Sequence, residues 1–144
     1  MGKRKRIQSP TIPSSPGRGR IAEPSVEKIL NYDQAHPIFC LRHLQAGFDL
    51  DACDRREQAD FAKALWKRSQ MTWRDIWAAD RHGLGAEKIA RESIRAPIPN
   101  HITEDVDFFI ALRFSGKAPM VGYRIRDVFH VIWLDPKFDL YEHG

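Results

Sequence analysis

The run from Asp105 to Gly144 alternates so regularly that it constrains everything else the chain can fold into. Val106, Phe108, Ile110, Leu112 and Phe114 fall on one side of an extended segment, with Asp107, Ala111, Arg113 and Ser115 on the other. This is the period-two pattern of a half-buried strand, and Ser115-Gly116 supplies turn chemistry to end it. Residues 120–125 and 128–134, rich in β-branched and aromatic side chains, predict two further strands joined by the two-residue turn Arg126-Asp127. In that hairpin Ile125 opposes Val128, Arg124 opposes Phe129 and Tyr123 opposes His130. Arg-Asp is not a favoured primed-turn pair, which leaves a one-residue slip open. Asp135-Pro136 breaks the last strand, and residues 137–143 are expected as a short polar edge strand.

The preceding half reads as helical. Residues 38–44 have β character and predict a first strand, closed by Gly47. A helix is expected over 51–69, with Ala52, Phe61, Ala64 and Leu65 near one stripe and Arg55, Arg56, Lys63 and Lys67 outward. Thr72 caps the next helix, with Asp75 at N3 and Met71 placed to staple Ile76. Trp73, Ile76 and Trp77 form its buried face, Trp66 is read as helix packing too, and Gly83 is the expected stop after Arg81-His82. Residues 86–94 predict a third short helix, ended by Pro97-Ile98-Pro99. The fold class is therefore α+β: an N-terminal strand, two or three helices, then a three- to four-stranded antiparallel meander, with helices on one face and functional side chains on the other.

Charge divides unevenly. Residues 1–20 hold Lys3, Arg4, Lys5, Arg6, Arg18 and Arg20 and no acid, leaving 17 of the 23 Lys and Arg against all 19 Asp and Glu. A nucleic-acid role must then rest on the tail or on a local patch. Residues 1–24 read as a disordered basic tail and 25–144 as one domain, with a short helix after Ser25. The Lys3–Arg6 run is open between a polyanion-binding arm, a nuclear-import signal and a solubilising end. Cys40 and Cys53 follow no secretory signal and read as reduced thiols of a cytoplasmic protein. No apolar run is long enough to span a membrane. His36, Cys40, His43 and Cys53 match no closed zinc spacing, so neither metal nor cofactor is expected.

Gly122-Tyr123-Arg124-Ile125, then His130-Val131-Ile132-Trp133, then Asp139-Leu140-Tyr141 resemble the closing strands of the RelE/ParE superfamily of small bacterial toxins. The resemblance covers about forty residues. It implies a toxin acting on RNA or the translation machinery, a metal-independent endoribonuclease restrained by a cognate antitoxin, with RNA or the ribosome as its other partner. Cleavage by a 2′-hydroxyl needs a base, an acid and positive charge on the phosphate. On that basis His130, Arg124, Tyr141 and His143 are the catalytic candidates, and Arg113, Arg126, Lys137, Lys3, Arg4, Lys5 and Arg6 the RNA-binding ones. Two features pull against it. Regular strands put Arg124 and His130 on opposite faces, and residues 105–144 hold five basic residues against six acids. The rival reading is a noncatalytic protein-interaction module whose basic tail binds nucleic acid.

Overall fold

The computed structural model describes residues 31–143. All but Asn31 belong to the second of the chain's two units, Tyr32–Gly144. Lys3, Arg4, Lys5, Arg6 and the helix expected after Ser25 lie outside the described residues.

The domain is α+β, built on a five-stranded sheet. Strands β1 (Ile38–Cys40), β2 (Ala86–Ala90), β3 (Phe108–Ser115), β4 (Ala118–Ile125) and β5 (Val128–Leu134) lie in the order β1-β5-β4-β3-β2. The sheet is mixed rather than a pure antiparallel meander, because β1 pairs parallel with β5 while the other three pairings are antiparallel. Of the stretch 38–44, three residues are strand; beyond them the chain stays beside β5, with Gln45 N donating to Ile132 O and Leu134 N to Phe48 O.

The β4–β5 hairpin has the register expected of a two-residue Arg126-Asp127 turn, with Tyr123 opposite His130, Arg124 opposite Phe129 and Ile125 opposite Val128. Its turn succeeds despite poor local chemistry. Arg126 takes φ 57°, and the Asp127 carbonyl accepts from Ile38 N at 2.9 Å and from the Trp73 indole at 3.1 Å. Tertiary hydrogen bonds thus hold a turn that its residue types disfavour. Further along, the register shifts between Val121 and Gly122, so Ile132 and Trp133 both turn to the same core. A Cβ on Gly122 would lie 1.9 Å from the His130 carbonyl oxygen, so this close approach requires glycine.

Helix α1 (Arg55–Ser69) opens on a capping box between Asp54 and Glu57, after a 3₁₀ turn at Leu50–Ala52. Helix α2 (Trp73–Ala78) opens on the Thr72–Asp75 box, and Met71 and Ile76 join one apolar cluster. Trp73 and Ile76 are buried, whereas Trp66 is exposed on α1. Helix α2 ends at Ala78, before Arg81-His82, because Ala79 turns extended. The third helix expected over 86–94 is absent: Ala86–Ala90 is β2 and Arg91–Ser93 a 3₁₀ turn. The free edge of β3 offered that segment a full ladder, and the sheet pairing overrode its weak helical pattern.

The sheet is buried on both faces. Phe61, Ala64, Trp73 and Ile76 cover Ile110, Leu112, Met120, Phe129 and Val131 on the helical side. On the other side Phe109, Ala111, Val121, Ile132 and Trp133 lie under Ile94, Ile98, Ile102, Leu140 and Tyr141. The face expected to stand open is therefore roofed by the 94–106 segment and the C-terminal segment. Arg95 N donates to Leu140 O at 2.7 Å, and the Arg91 guanidinium donates to the Thr103 and Val106 carbonyls. Residues 137–143 are not an edge strand; Leu140 and Tyr141 are buried under this roof. Among the described residues no helix is long and apolar enough to cross a membrane, and both cysteines are free thiols.

Candidate active site

Where the C-terminal segment crosses the sheet, it builds one side of a cleft of about 430 Å³. Asp135, 1% exposed, organises that segment. One carboxylate oxygen accepts from Asp139 N at 2.8 Å; the other accepts from Leu140 N at 3.0 Å and lies 3.3 Å from Nε2 of His143. The Asp135-Pro136 break therefore does more than stop β5. It folds the chain back so that Tyr141 and His143 stack, with ring centroids 4.0 Å apart. Arg113 from β3, Lys117 from the β3–β4 turn, and Arg81 and His82 from the loop after α2 complete the lining.

Arg68 holds that last loop. Its guanidinium is fully buried and donates to the carbonyls of Leu84 at 3.1 Å and of Gly83 and Ala64 at 3.4 Å. Burial lowers its pKa to about 10, which leaves it charged at neutral pH. Gly85 seats the same loop, because a Cβ there would lie 2.2 Å from the Ala79 carbonyl oxygen.

Charge in the cleft is segregated in a way that the balance of residues 105–144 conceals. Arg81, Lys88, Arg113 and Lys117 line it against Glu87 and Glu142. Arg81 pairs with Glu87 at 3.0 Å, and Lys88 turns its ammonium over Phe108. Among the described residues neither Arg113 nor Lys117 meets a carboxylate, and Arg113 only touches the His82 carbonyl at 3.4 Å. These two cations are available to an anion. Burial, then Glu87 and Asp135, push the Tyr141 hydroxyl up to about 12 against the opposing pull of Arg113 and Arg81. Tyr141 thus keeps its proton at neutral pH and can donate it.

A second tyrosine–histidine stack sits where β4 meets β5. Tyr123 and His130 stack at 4.8 Å, His43 and His101 at 4.1 Å, and His101 Nε2 lies 3.1 Å from the Tyr123 hydroxyl. His43 lies 6.1 Å from His130. Desolvation, and after it the neighbouring imidazoles, lower the pKa values of His43 and His130. Nδ1 of His130 is buried and has no hydrogen-bond partner among the described residues, as suits a neutral ring. Among the described residues no carboxylate bonds to this group. Among the described residues no cluster of three or more His, Cys, Asp or Glu is arranged to hold a metal.

The sequence candidates thus separate. Tyr141, His143 and Arg113 come together in one cleft. His130 goes to the histidine cluster instead. Arg124 is on the helical side, 17% exposed, bonded to Asp33 at 2.8 Å and lying over the Trp73 ring at 4.5 Å. It braces the hairpin and takes no part in the cleft around Tyr141. Arg126 sits at the hairpin turn and Lys137 on the exposed turn after β5, both outside the cleft lining. Sequence reading passed over Lys117, Arg81, His82 and Asp135. Lys117 follows a recognised turn glycine directly, and Asp135 precedes a recognised strand-breaking proline; only the folded chain shows what they face. Searches against protein-family models, curated proteins and solved structures find no match to this chain.

Proposed function

We propose that the protein is a metal-independent endoribonuclease, the toxin of a toxin–antitoxin pair, and that the Tyr141–His143 cleft is its active site. The observation that carries this is the meeting of an Asp135-supported histidine, a proton-bearing tyrosine and two carboxylate-free cations around one opening. In the reaction, His143 takes the proton of an RNA 2′-hydroxyl as its oxygen attacks the adjacent phosphorus. The bond to the 5′-oxygen breaks, and Tyr141 donates a proton to that leaving oxygen. The products are a 2′,3′-cyclic phosphate and a 5′-hydroxyl. Arg113 and Lys117 stabilise the charge that builds on the phosphate oxygens. Asp135 keeps the His143 ring aimed into the cleft.

The test is incubation of the purified chain with end-labelled RNA in EDTA, beside induction of the same gene in a bacterial host. Cleavage to cyclic-phosphate ends and growth arrest are expected, both lost in His143→Ala. Intact RNA together with normal growth would sink the proposal.

One observation favours a noncatalytic interaction module as the second reading. A cleft of about 660 Å³ combines Trp77, Ile102, Val106, Phe108 and Ile125 with Asp105 and Asp107, beside Lys88 and the Arg124–Asp33 pair. That lining suits a basic amphipathic segment of a protein partner, and a cognate antitoxin is one such partner. Normal growth, intact RNA and a partner lost on Ile125→Asp would favour this reading.

A further inference from the structure

We propose that Phe138 is a stacking platform for one base of single-stranded RNA, on the rim of the Tyr141–His143 cleft. The inference rests on the reading of that cleft as an RNA site, and adds a substrate-binding position to it.

Phe138 stands at φ 61°, in the left-handed region that glycine and asparagine enter readily and bulky side chains seldom do. The bonds of the turn are made by backbone N–H groups and Asp135: Phe138 N donates to the Asp135 carbonyl at 3.3 Å, and Asp139 N and Leu140 N donate to the Asp135 carboxylate. None of these bonds requires an aromatic ring. Nor does the core, because Phe138 is 41% exposed. A bulky ring set on an unfavourable backbone conformation, and required by neither the turn's bonds nor the core, is a reason to look for a use outside the fold.

Its surroundings indicate which use. The ring meets His143 nearly perpendicular, with centroids 4.9 Å apart, and lines the same cleft as Arg113 and Lys117. The other large exposed hydrophobics, Ile38, Trp66, Phe108 and Ile125, do not line it. A π-face beside two cations that meet no carboxylate among the described residues matches one nucleotide unit, base on the ring and phosphate on the charges. The base must be unpaired to offer its face, which makes the substrate single-stranded.

The experiment uses the full chain and a fluorescein-labelled 2′-O-methyl oligoribonucleotide, which lacks the attacking hydroxyl and cannot be cleaved. Fluorescence anisotropy measures its affinity, with an abasic residue moved through successive positions. Phe138→Gly should hold or raise Tm, since glycine relieves the positive φ, while weakening binding about tenfold. Phe138→Trp should bind like the original. At one position the abasic residue should cost the original protein about the same factor and cost Phe138→Gly nothing. Equal affinity of the original and Phe138→Gly would overturn the proposal. So would an abasic penalty of the same size in both, or a fall in Tm in both Phe138→Gly and Phe138→Asn, which would assign the ring to packing. If the original protein neither binds the oligonucleotide nor cleaves RNA, the reading of the cleft fails and this inference with it. Cleavage that persists with Phe138→Gly binding normally removes only the platform.

Discussion

Tyr141 with His143 and Tyr123 with His130 are the same two side chains stacked in nearly the same way, one pair in the segment that crosses the sheet and the other on the sheet itself, in two different surroundings. Behind His143 stands a buried carboxylate, and in the same cleft as Tyr141 stand Arg113 and Lys117, which meet no carboxylate among the described residues. Behind His130 stand two more histidines; burial, and after it His101, press its ring toward neutrality, and Tyr123 is tied to His101. A tyrosine–histidine pair is therefore not a site by composition. The first arrangement can move a proton beside an anion; the second packs a strand junction without a charge.

The sharpest way to break this contrast is to remove each histidine in turn. His143→Ala should lower RNA cleavage about 10³-fold, the scale of a lost general base, whereas His130→Ala should leave turnover of the folded protein within about twofold. Single-turnover assays on both variants would decide it, and equal losses would erase the distinction.

Next in size is Gly122→Ala, which drives a methyl group into the His130 carbonyl. Its cost should appear in stability, about 3 kcal/mol, measured by urea unfolding. A smaller effect is expected of Arg113→Ala. Loss of one phosphate donor should reduce cleavage about 10²-fold and flatten the dependence of RNA binding on salt, with little change in Tm.

The smallest effect is one of pH, and it arises in the histidine cluster. Folding lowers the pKa values of His43 and His130 from the usual 6.5. As pH falls through 6.5 the unfolded chain takes up protons that the folded one refuses. Stability is thus complete above 6.5 and declines as pH drops toward the folded values. His101 and Arg42 reinforce the shift at His43, and His101 does so at His130. Thermal melts between about pH 7.5 and about pH 5.5 should show Tm falling, with a shallower slope in His101→Gln. An unchanged slope would remove the imidazoles as its cause.

Much of the β half could be read from residues alone, because alternation is a property of neighbours. The three strands at 108–134 follow from period two, and the Tyr123–His130 pairing and the separation of Arg124 from His130 follow once Arg126-Asp127 is a two-residue turn. The capping box at Thr72 is equally local. The strand at Ala86–Ala90 was illegible because what made it a strand was the unpaired edge of β3, far along the chain. The site was half legible for the same reason. Tyr141, His143 and Arg113 were recognisable as reactive types, whereas Lys117, Asp135 and Phe138 acquire meaning only from what they face.

Local chemistry was enough for the strands of the hairpin, the helix start at Thr72 and the turn that ends β5, since each depends on residues within a few positions; the hairpin turn itself is held by Ile38 and Trp73 from elsewhere in the chain. Packing alone decided which face of the sheet is roofed, which histidine meets a carboxylate and which arginine stays free. Those outcomes depend on segments that are distant in sequence, and on whether a desolvated charge finds a partner once they meet.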